Sequence, residues 1–181
     1  MSVTFFGRAP TLENPLLGLL LIQPDHGYDL HQVLVNNFGM LWHVLQSQTY
    51  STLERLERKG LIAGDIQEQI SRPQRRVYHL TPAGRLRAET WLIEPGRCAV
   101  QIIRMELPVR LFILSHWSPE RIPLVLANQR QAIFAAYMEM NHSLATIPPA
   151  QIYNHMAVSF RVHQVGAMLE WLDTLLQNYQ D

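Results

Sequence analysis

The sequence predicts a mainly α-helical protein with one small β-hairpin, and three observations support this fold class. Proline, glycine and capping residues divide the first half into short helices. A pair of segments rich in β-branched and aromatic residues follows, and the second half holds two long stretches with apolar residues at steps of three and four. The chain has 181 residues, 48% of them hydrophobic, which is enough for one large domain or two small ones.

The first two helices are delimited by proline and glycine. Asn14 followed by Pro15 is a helix-start signal, so the first helix is expected over residues 16–23, with Pro24 ending it. Gly27 opens a second helix that stops near residues 37–39. Both helices are therefore short.

The third helix, over residues 47–59, is capped by Ser47 and closed by Gly60. Its apolar residues form a narrow stripe centred on Leu53. The remaining face is polar and cationic, and it carries Gln48, Ser51, Thr52, Arg55, Arg58 and Lys59. A helix that reads base edges and phosphates in a DNA major groove needs such a face, although an ordinary solvent-exposed helix shows the same pattern.

Residues 61–70 and 75–80 are expected to form two strands joined by a polar turn at 71–74, and Thr81 with Pro82 starts another helix that ends near residue 93. The order helix, helix, helix, hairpin, helix is that of a winged helix-turn-helix. In that architecture the third helix docks in DNA and the tip of the hairpin touches the flanking backbone. The tip here carries Arg72, Arg75 and Arg76.

The charge distribution fits one nucleic-acid-facing surface. Residues 55–87 hold eight basic and three acidic side chains, a net charge of +5 in a chain whose total is zero. A basic face without a partner would give the same count. The charge alone therefore leaves both interpretations open.

Three ordered groups of residues then carry a family resemblance: His26-Gly27-Tyr28; Tyr50-x-x-Leu53-x-Arg55-Leu56-Glu57-x-x-Gly60-Leu61-Ile62; and Arg75-Arg76-x-Tyr78-x-Leu80-Thr81-x-x-Gly84-Arg85. With Leu41-Trp42, they resemble the PadR family of bacterial transcription regulators, in the subgroup with the larger C-terminal helical domain. The resemblance implies a repressor that a small aromatic or phenolic effector releases from DNA. It also implies that the Tyr28 hydroxyl meets a DNA phosphate.

The only plausible domain boundary lies at residues 94–97, where Pro95 and Gly96 stand. We therefore expect a winged-helix DNA-binding domain over residues 1–94 and a helical dimerisation domain over 95–181. A short helix over 107–116 is expected first. Two long, coiled-coil-like helices follow, the first from the Ser118-Pro119-Glu120 start signal to Pro148 and the second over about 150–179.

The two long helices carry more apolar residues than one antiparallel contact can bury, including Phe134, Tyr137, Phe160, Trp171 and Leu176. This excess predicts a homodimer, with packing against the winged helix as the alternative. Two recognition helices related by a two-fold axis would read double-stranded DNA with a pseudo-palindromic operator. The competing function is a winged-helix protein-interaction module without direct DNA readout.

An effector pocket is expected at the junction of the two domains. Its predicted lining is an aromatic wall with one cation, made of Trp42, Trp91, Arg110, Phe112, His116 and Trp117, with Trp171 nearby. Such a pocket suits a planar carboxylate. The alternative is that these aromatic residues only pack in the core.

Other classes of function find no support in the sequence. The single cysteine, Cys98, excludes an internal disulfide, and the eight histidines lack the spacing of a metal site. No catalytic motif is present, so we expect no enzyme, no cofactor and no metal. Without a signal-peptide pattern or an apolar run of about 20 residues, we expect a cytoplasmic protein with no membrane segment.

Overall fold

The computed structural model describes residues 11–40, 43–67 and 75–179. It confirms a mainly helical fold with a small sheet. The elements in chain order are α1 (Glu13–Ile22), β1 (Asp25–His26), α2 (Gly27–Phe38), α3 (Gln46–Arg58), β2 (Ile62–Gln67), β3 (Arg75–Leu80), α4 (Pro82–Ile93), α5 (Val100–Trp117), a 3₁₀ turn (Pro119–Arg121), α6 (Ile122–Ala145) and α7 (Ile152–Asn178).

The sheet is antiparallel, with the strand order β1-β3-β2. Ile62 pairs with Leu80 at one end of the hairpin, and Gln67 pairs with Arg75 at the other. The two-residue strand β1 adds the third strand through the pair His26 and Val77. The sequence did not predict β1, because two residues carry no periodicity.

The predicted helix boundaries in the first half hold to within a few residues. α2 and α4 match the expectation, and Thr81 caps α4 by accepting a hydrogen bond from the Gly84 N–H at 3.2 Å. Gly60 ends α3 in the left-handed conformation, with φ at 67°. α1 begins one residue before Asn14, after Leu12, and no side chain caps it.

The second half is an antiparallel pair of long helices preceded by α5. The spacing of three and four residues expected of a coiled-coil-like helix is seen as burial in the first half of α6, at Ile122, Leu126, Gln129 and Ile133. The later positions of the same series, Ala136, Met140, Leu144 and Ile147, are half-buried. α5 differs from the prediction: it starts at Val100, seven residues earlier, and contains Pro108. The sequence predicts a helix interrupted near its start by Pro108, whereas the helix continues through this proline.

The hydrophobic core is continuous between the two halves. α1 packs against both α4 and α5, and residues from Leu16 to Leu172 belong to one cluster. The segment between α4 and α5 contains no helix or strand and forms a linker. The division into two domains between residues 94 and 95 remains a prediction. Among the described residues, no helix is both long and apolar enough to cross a membrane.

Candidate nucleic-acid interface

The buried face of α3 includes Leu53 at the centre of the predicted apolar stripe but is wider than the sequence predicted. Its buried residues are Thr49, Thr52, Leu53 and Leu56, whereas Tyr50 is exposed. Thr49 is accommodated because its hydroxyl lies 3.1 Å from Nδ1 of the buried His31 on α2. The prediction that Thr52 contacts DNA is corrected: the residue is 4% exposed, and its hydroxyl accepts a hydrogen bond from Arg55.

The exposed face of α3 is a polar stripe of residues three and four positions apart, formed by Ser47, Ser51, Glu54 and Arg58. Arg58 forms no ion pair with any described residue. Glu54 was missed by the sequence analysis, which selected only neutral polar and basic side chains. Its carboxylate repels phosphates and accepts hydrogen bonds, so among DNA groups it suits a cytosine amino group.

The start of α3 also differs from the prediction. Leu45, not Ser47, precedes the first helical residue, and Ser47 lies exposed in the first turn. The side-chain oxygen of Gln48 accepts a hydrogen bond from the Leu45 N–H at 3.1 Å. The amide oxygen of Gln48 is therefore engaged, and its NH₂ group remains as a donor.

One carboxylate, Glu13, collects three cations at the first turn of α1. It accepts hydrogen bonds from Nε of Arg55 at 2.8 Å, from Nζ of Lys59 at 2.7 Å and from Nη2 of Arg87 at 2.7 Å. Arg87 also donates to Asn14 at 3.2 Å. Glu13 itself is buried. We call Glu13, Arg55, Lys59 and Arg87 the Glu13 cluster.

The Glu13 cluster shifts the carboxyl group strongly towards its charged form. Burial alone would raise the pKa of Glu13, but the hydrogen bonds from Lys59, Arg55 and Arg87 outweigh it and lower the pKa from 4.5 to about 2. Its place in the first turn of α1 also favours a negative charge, since the helix dipole is positive there.

The sequence predicts that Arg55 and Lys59 project freely from the polar face of α3. In the structure they do not. Each side chain is close to half exposed and is tied to Glu13. One carboxylate neutralises only one of the three cations, however, so the Glu13 cluster keeps a positive charge beside the polar stripe. Glu13 was not predicted as a site residue. The one local signal for it is that an acidic residue opens an otherwise apolar helix.

The wing, which is the hairpin of β2 and β3, is held against α3 by an ion pair. Nη2 of Arg76 donates to Glu57 at 2.6 Å, and the Arg76 guanidinium lies 5.6 Å from the ring centre of Tyr78. Arg72 and the side chain of Arg75 lie outside the described residues. Tyr28 in the first turn of α2 is 52% exposed, on the helix that packs against α3.

The described residues of the predicted effector pocket lie in separate pairs and do not line one cavity. Trp91 and Arg110 are buried against each other between α4 and α5, with the guanidinium 4.9 Å from the ring centre. Phe112 contacts Phe38 and His116 elsewhere on α5. Trp117 stacks with Arg121 beyond the end of α5, and Trp42 lies outside the described residues.

An open groove of about 380 Å³ lies instead between the first turns of α5 and the second half of α7. It contains one of the four tryptophans, Trp171, and one cation, Arg104. Both side chains are exposed to solvent. The full lining is Val100, Ile103, Arg104, Gln164, Ala167, Met168 and Trp171.

Across the described ranges, no three His, Cys, Asp or Glu side chains lie close enough together to hold a metal ion. The geometry therefore consists of a helix-turn-helix, a polar stripe on its third helix and a wing tied to that helix. These features define a winged helix-turn-helix protein.

The winged helix is similar to a known family of proteins. Residues 16–90 match the model described as "Transcriptional regulator PadR-like family". Residues 16–90 are therefore similar to the PadR-like family of transcriptional regulators, in agreement with the motifs of the sequence. The family and its matched relatives are transcriptional regulators and not enzymes.

Two curated relatives and one solved structure are similar to this chain. "Probable transcriptional regulator Rv1176c" of Mycobacterium tuberculosis is 29% identical over 84 residues, which cover 46% of this chain and 44% of that protein. "Negative transcriptional regulator PadR" of Bacillus subtilis is 21% identical over 174 residues, covering 91% of this chain and 95% of that one. The crystal structure of Bacillus subtilis PadR with operator DNA has 20% identity and a TM-score of 0.46, covering 92% of this chain and 96% of that chain.

The Glu13 cluster predicts a specific acid sensitivity. Between the ordinary pKa of 4.5 and the folded-state value of about 2, the unfolded chain binds more protons than the folded one, so stability falls as the pH falls. We expect a loss of about 3 kcal/mol in the free energy of unfolding between about pH 6 and about pH 2 from this group alone. Urea unfolding across this range measures it.

In the Glu13→Gln variant this part of the pH dependence should disappear. The free energy of unfolding at neutral pH should also be lower than that of the parent protein. Glu139→Gln, at an exposed position on α6, serves as the control and should keep the full acid sensitivity of the parent protein. If Glu13→Gln and the parent lost stability in parallel as the pH falls, the proposed charge state of Glu13 would be wrong.

Proposed function

We propose that this regulator binds double-stranded DNA as a homodimer, reads a pseudo-palindromic operator with α3 and represses transcription from it. The observation that carries this proposal is the polar stripe of α3, which is exposed and lies beside the positive Glu13 cluster. Repression is supported by the relative named "Negative transcriptional regulator PadR", which aligns over 91% of this chain. The protein would act in the cytoplasm, with the DNA that it binds.

The described side chains divide into base-reading and phosphate-binding groups. The N-terminal residues of a recognition helix face base edges, so Ser47, the free NH₂ of Gln48 and Ser51 are assigned to bases. Arg58 lies at the other end of α3, without an ionic partner in the described ranges, and is assigned to a phosphate.

A second set of contacts flanks the stripe. Arg55 and Lys59 keep about half of their side-chain surface exposed and are assigned to phosphates while still bound to Glu13. Tyr28 is assigned to a phosphate on the other side of α3. Arg76, with the predicted Arg72 and Arg75, is assigned to the backbone beside the wing.

The homodimer is supported by apolar side chains that the single chain leaves in water. Ile152, Met156 and Phe160 recur every four residues on α7 and are all at least 62% exposed. Phe134 and Met138 form a second exposed pair on α6. A second copy of the chain would remove this surface from water, at a gain of roughly 2 kcal/mol for each large side chain.

The proposed binding site for a small effector is the groove between α5 and α7. Trp171 offers an aromatic face and Arg104 a cation, a combination that suits a planar aromatic carboxylate. The groove is formed partly by the first turns of α5, which follow the linker directly. A ligand there would contact the segment that connects the two halves of the chain.

DNA binding can be tested by selection from a random oligonucleotide pool, followed by titrations at several salt concentrations. We expect an inverted repeat to be enriched. Arg58→Ala should weaken binding to all sequences and lower the slope of log K against log salt by about one. Ser51→Ala should instead relax the preference at one base pair in each half-site.

Arg121→Ala, an exposed arginine that stacks on Trp117, is the matched control and should bind as the parent does. Binding that is insensitive to salt, with no enriched repeat, would contradict DNA reading and favour a protein partner for the winged helix.

The homodimer predicts a mass of twice 20.9 kDa by light scattering at micromolar concentration. Phe160→Asp places a charge in the exposed apolar stripe of α7 and should yield the monomer, because burying an unpaired carboxylate at an interface costs several kcal/mol. Gln177→Asp adds the same charge at an exposed position near the end of α7 and should leave the dimer intact. A parent protein that is monomeric at this concentration would rule out the dimer.

The effector site predicts saturable quenching of tryptophan fluorescence by benzoate or 4-hydroxybenzoate, and none by hexanoate. Trp171→Phe should remove most of the quenching, and Arg104→Gln should weaken binding about tenfold, measured by calorimetry, because the carboxylate loses its cation. Equal quenching in the parent and in Trp171→Phe would show that the ligand binds elsewhere.

A further inference from the structure

The linker between α4 and α5 is held by two buried polar side chains that come from different helices. Arg110 lies on α5 and is 4% exposed, and Gln129 lies on α6 and is 1% exposed. Both reach the backbone of residues 94–96, which is the segment that the sequence marks as the boundary between the two halves.

Gln129 binds the linker through a two-point contact. Its side-chain oxygen accepts a hydrogen bond from the Gly96 N–H at 2.6 Å, and its NH₂ group donates to the Gly96 carbonyl at 3.0 Å. Two hydrogen bonds between one side-chain amide and one backbone residue fix both position and orientation. A hydrophobic contact has no such directionality.

Arg110 connects the linker to the last turn of α4. Its Nη1 donates to the Glu94 carbonyl, and its Nη2 donates to Glu106 at 3.1 Å. The same Glu106 oxygen accepts a hydrogen bond from Nε1 of Trp91 at 3.2 Å, and the Trp91 ring lies under the guanidinium. The end of the winged helix is thus tied to α5 by a charged and an aromatic group.

The two contacts meet at Gly96. A Cβ atom at this position would stand 3.3 Å from the Gln129 oxygen and 3.5 Å from Nη2 of Arg110. Keeping Arg110 buried at this point costs free energy. Burial lowers the pKa of Arg110, an effect that the nearby Glu106 opposes. In addition, Nε of Arg110 has no hydrogen-bond acceptor among the described residues. Apolar residues would fill this space without that cost, so packing alone does not account for the polar groups.

We propose that Arg110 and Gln129 form a clamp on the linker that fixes the angle between the winged helix and the long helices, and so sets the operator spacing that the dimer accepts. This inference rests on the proposed function. Arg110 and Gln129 are positioning residues, because neither lies on the DNA-facing stripe. The clamp acts through the relative placement of two rigid parts and not through contacts with bases or phosphates.

The first test measures the angle without DNA. Spin labels on Ala83→Cys in α4 and Glu139→Cys in α6, in a Cys98→Ala background diluted with unlabelled chain, report the distance between the two halves. The parent should give one narrow distribution. Gln129→Leu removes both hydrogen bonds to Gly96 at similar volume, and the distribution should become about twice as broad while the circular dichroism spectrum stays helical.

The second test measures operator spacing. On inverted repeats whose half-site separation varies in single base pairs, the parent should prefer one spacing by about tenfold or more, and Gln129→Leu should bind neighbouring spacings within about threefold. Arg110→Lys keeps the charge but loses the planar fork, so it should behave like Gln129→Leu. Gln177→Leu, the same substitution at an exposed position on α7, should match the parent in both tests.

The two tests separate failure of the clamp from failure of the proposed function. If the parent binds no DNA, the proposed function is wrong, and the distance distributions still decide whether the clamp exists. If Gln129→Leu keeps a distribution as narrow as that of the parent, or the same spacing preference, the clamp is overturned even though the protein binds DNA.

Discussion

A single buried carboxylate determines how the winged helix is assembled. Glu13 joins α1 to α3 through Arg55 and Lys59 and to α4 through Arg87. Removing one partner of a buried ion pair leaves an uncompensated charge, which costs more than the pair itself contributes. α1 also packs against α5, so the helix that carries Glu13 contacts both the winged helix and the second half of the chain.

This arrangement has a consequence for DNA recognition. Glu13 holds Arg55 and Lys59 in place. In the proposed DNA complex these two side chains would therefore lose less freedom on contacting a phosphate than unbound arginine or lysine side chains would. The carboxylate simultaneously removes one unit of positive charge from the interface. The Glu13 cluster would therefore attract phosphates less strongly than three unpaired cations, but its side chains are already positioned. Arg58, in contrast, has no ionic partner among the described residues and would contribute its full charge.

The fold could be predicted from the sequence to a large extent because proline, glycine and capping residues act locally. The features that were missed depend on contacts distant in the chain. Glu13 binds residues 42, 46 and 74 positions away, which no local pattern indicates. Thr52 is predicted on the exposed polar face because of its polarity, and no pattern indicates the burial of Thr49. Arg55 and His31 supply the hydrogen-bond partners that allow both threonines to be buried. The described residues of the predicted effector pocket do not line one cavity for a related reason, since Arg110 and Phe112 are two positions apart and lie on different sides of α5.

The groove and the clamp share the helix α5. Val100, Ile103 and Arg104 line the groove and form the first turns of α5, between the linker at residues 94–96 and the clamp residue Arg110 on the same helix. A ligand changes the angle of the winged helix only if it binds one arrangement of these turns more tightly than another. Because a helix transmits displacement along its axis, a shift at Arg104 would move Arg110 relative to the Glu94 carbonyl. Groove ligand and operator DNA would then compete through the linker, and by linkage DNA of the preferred spacing would weaken ligand binding by the same factor.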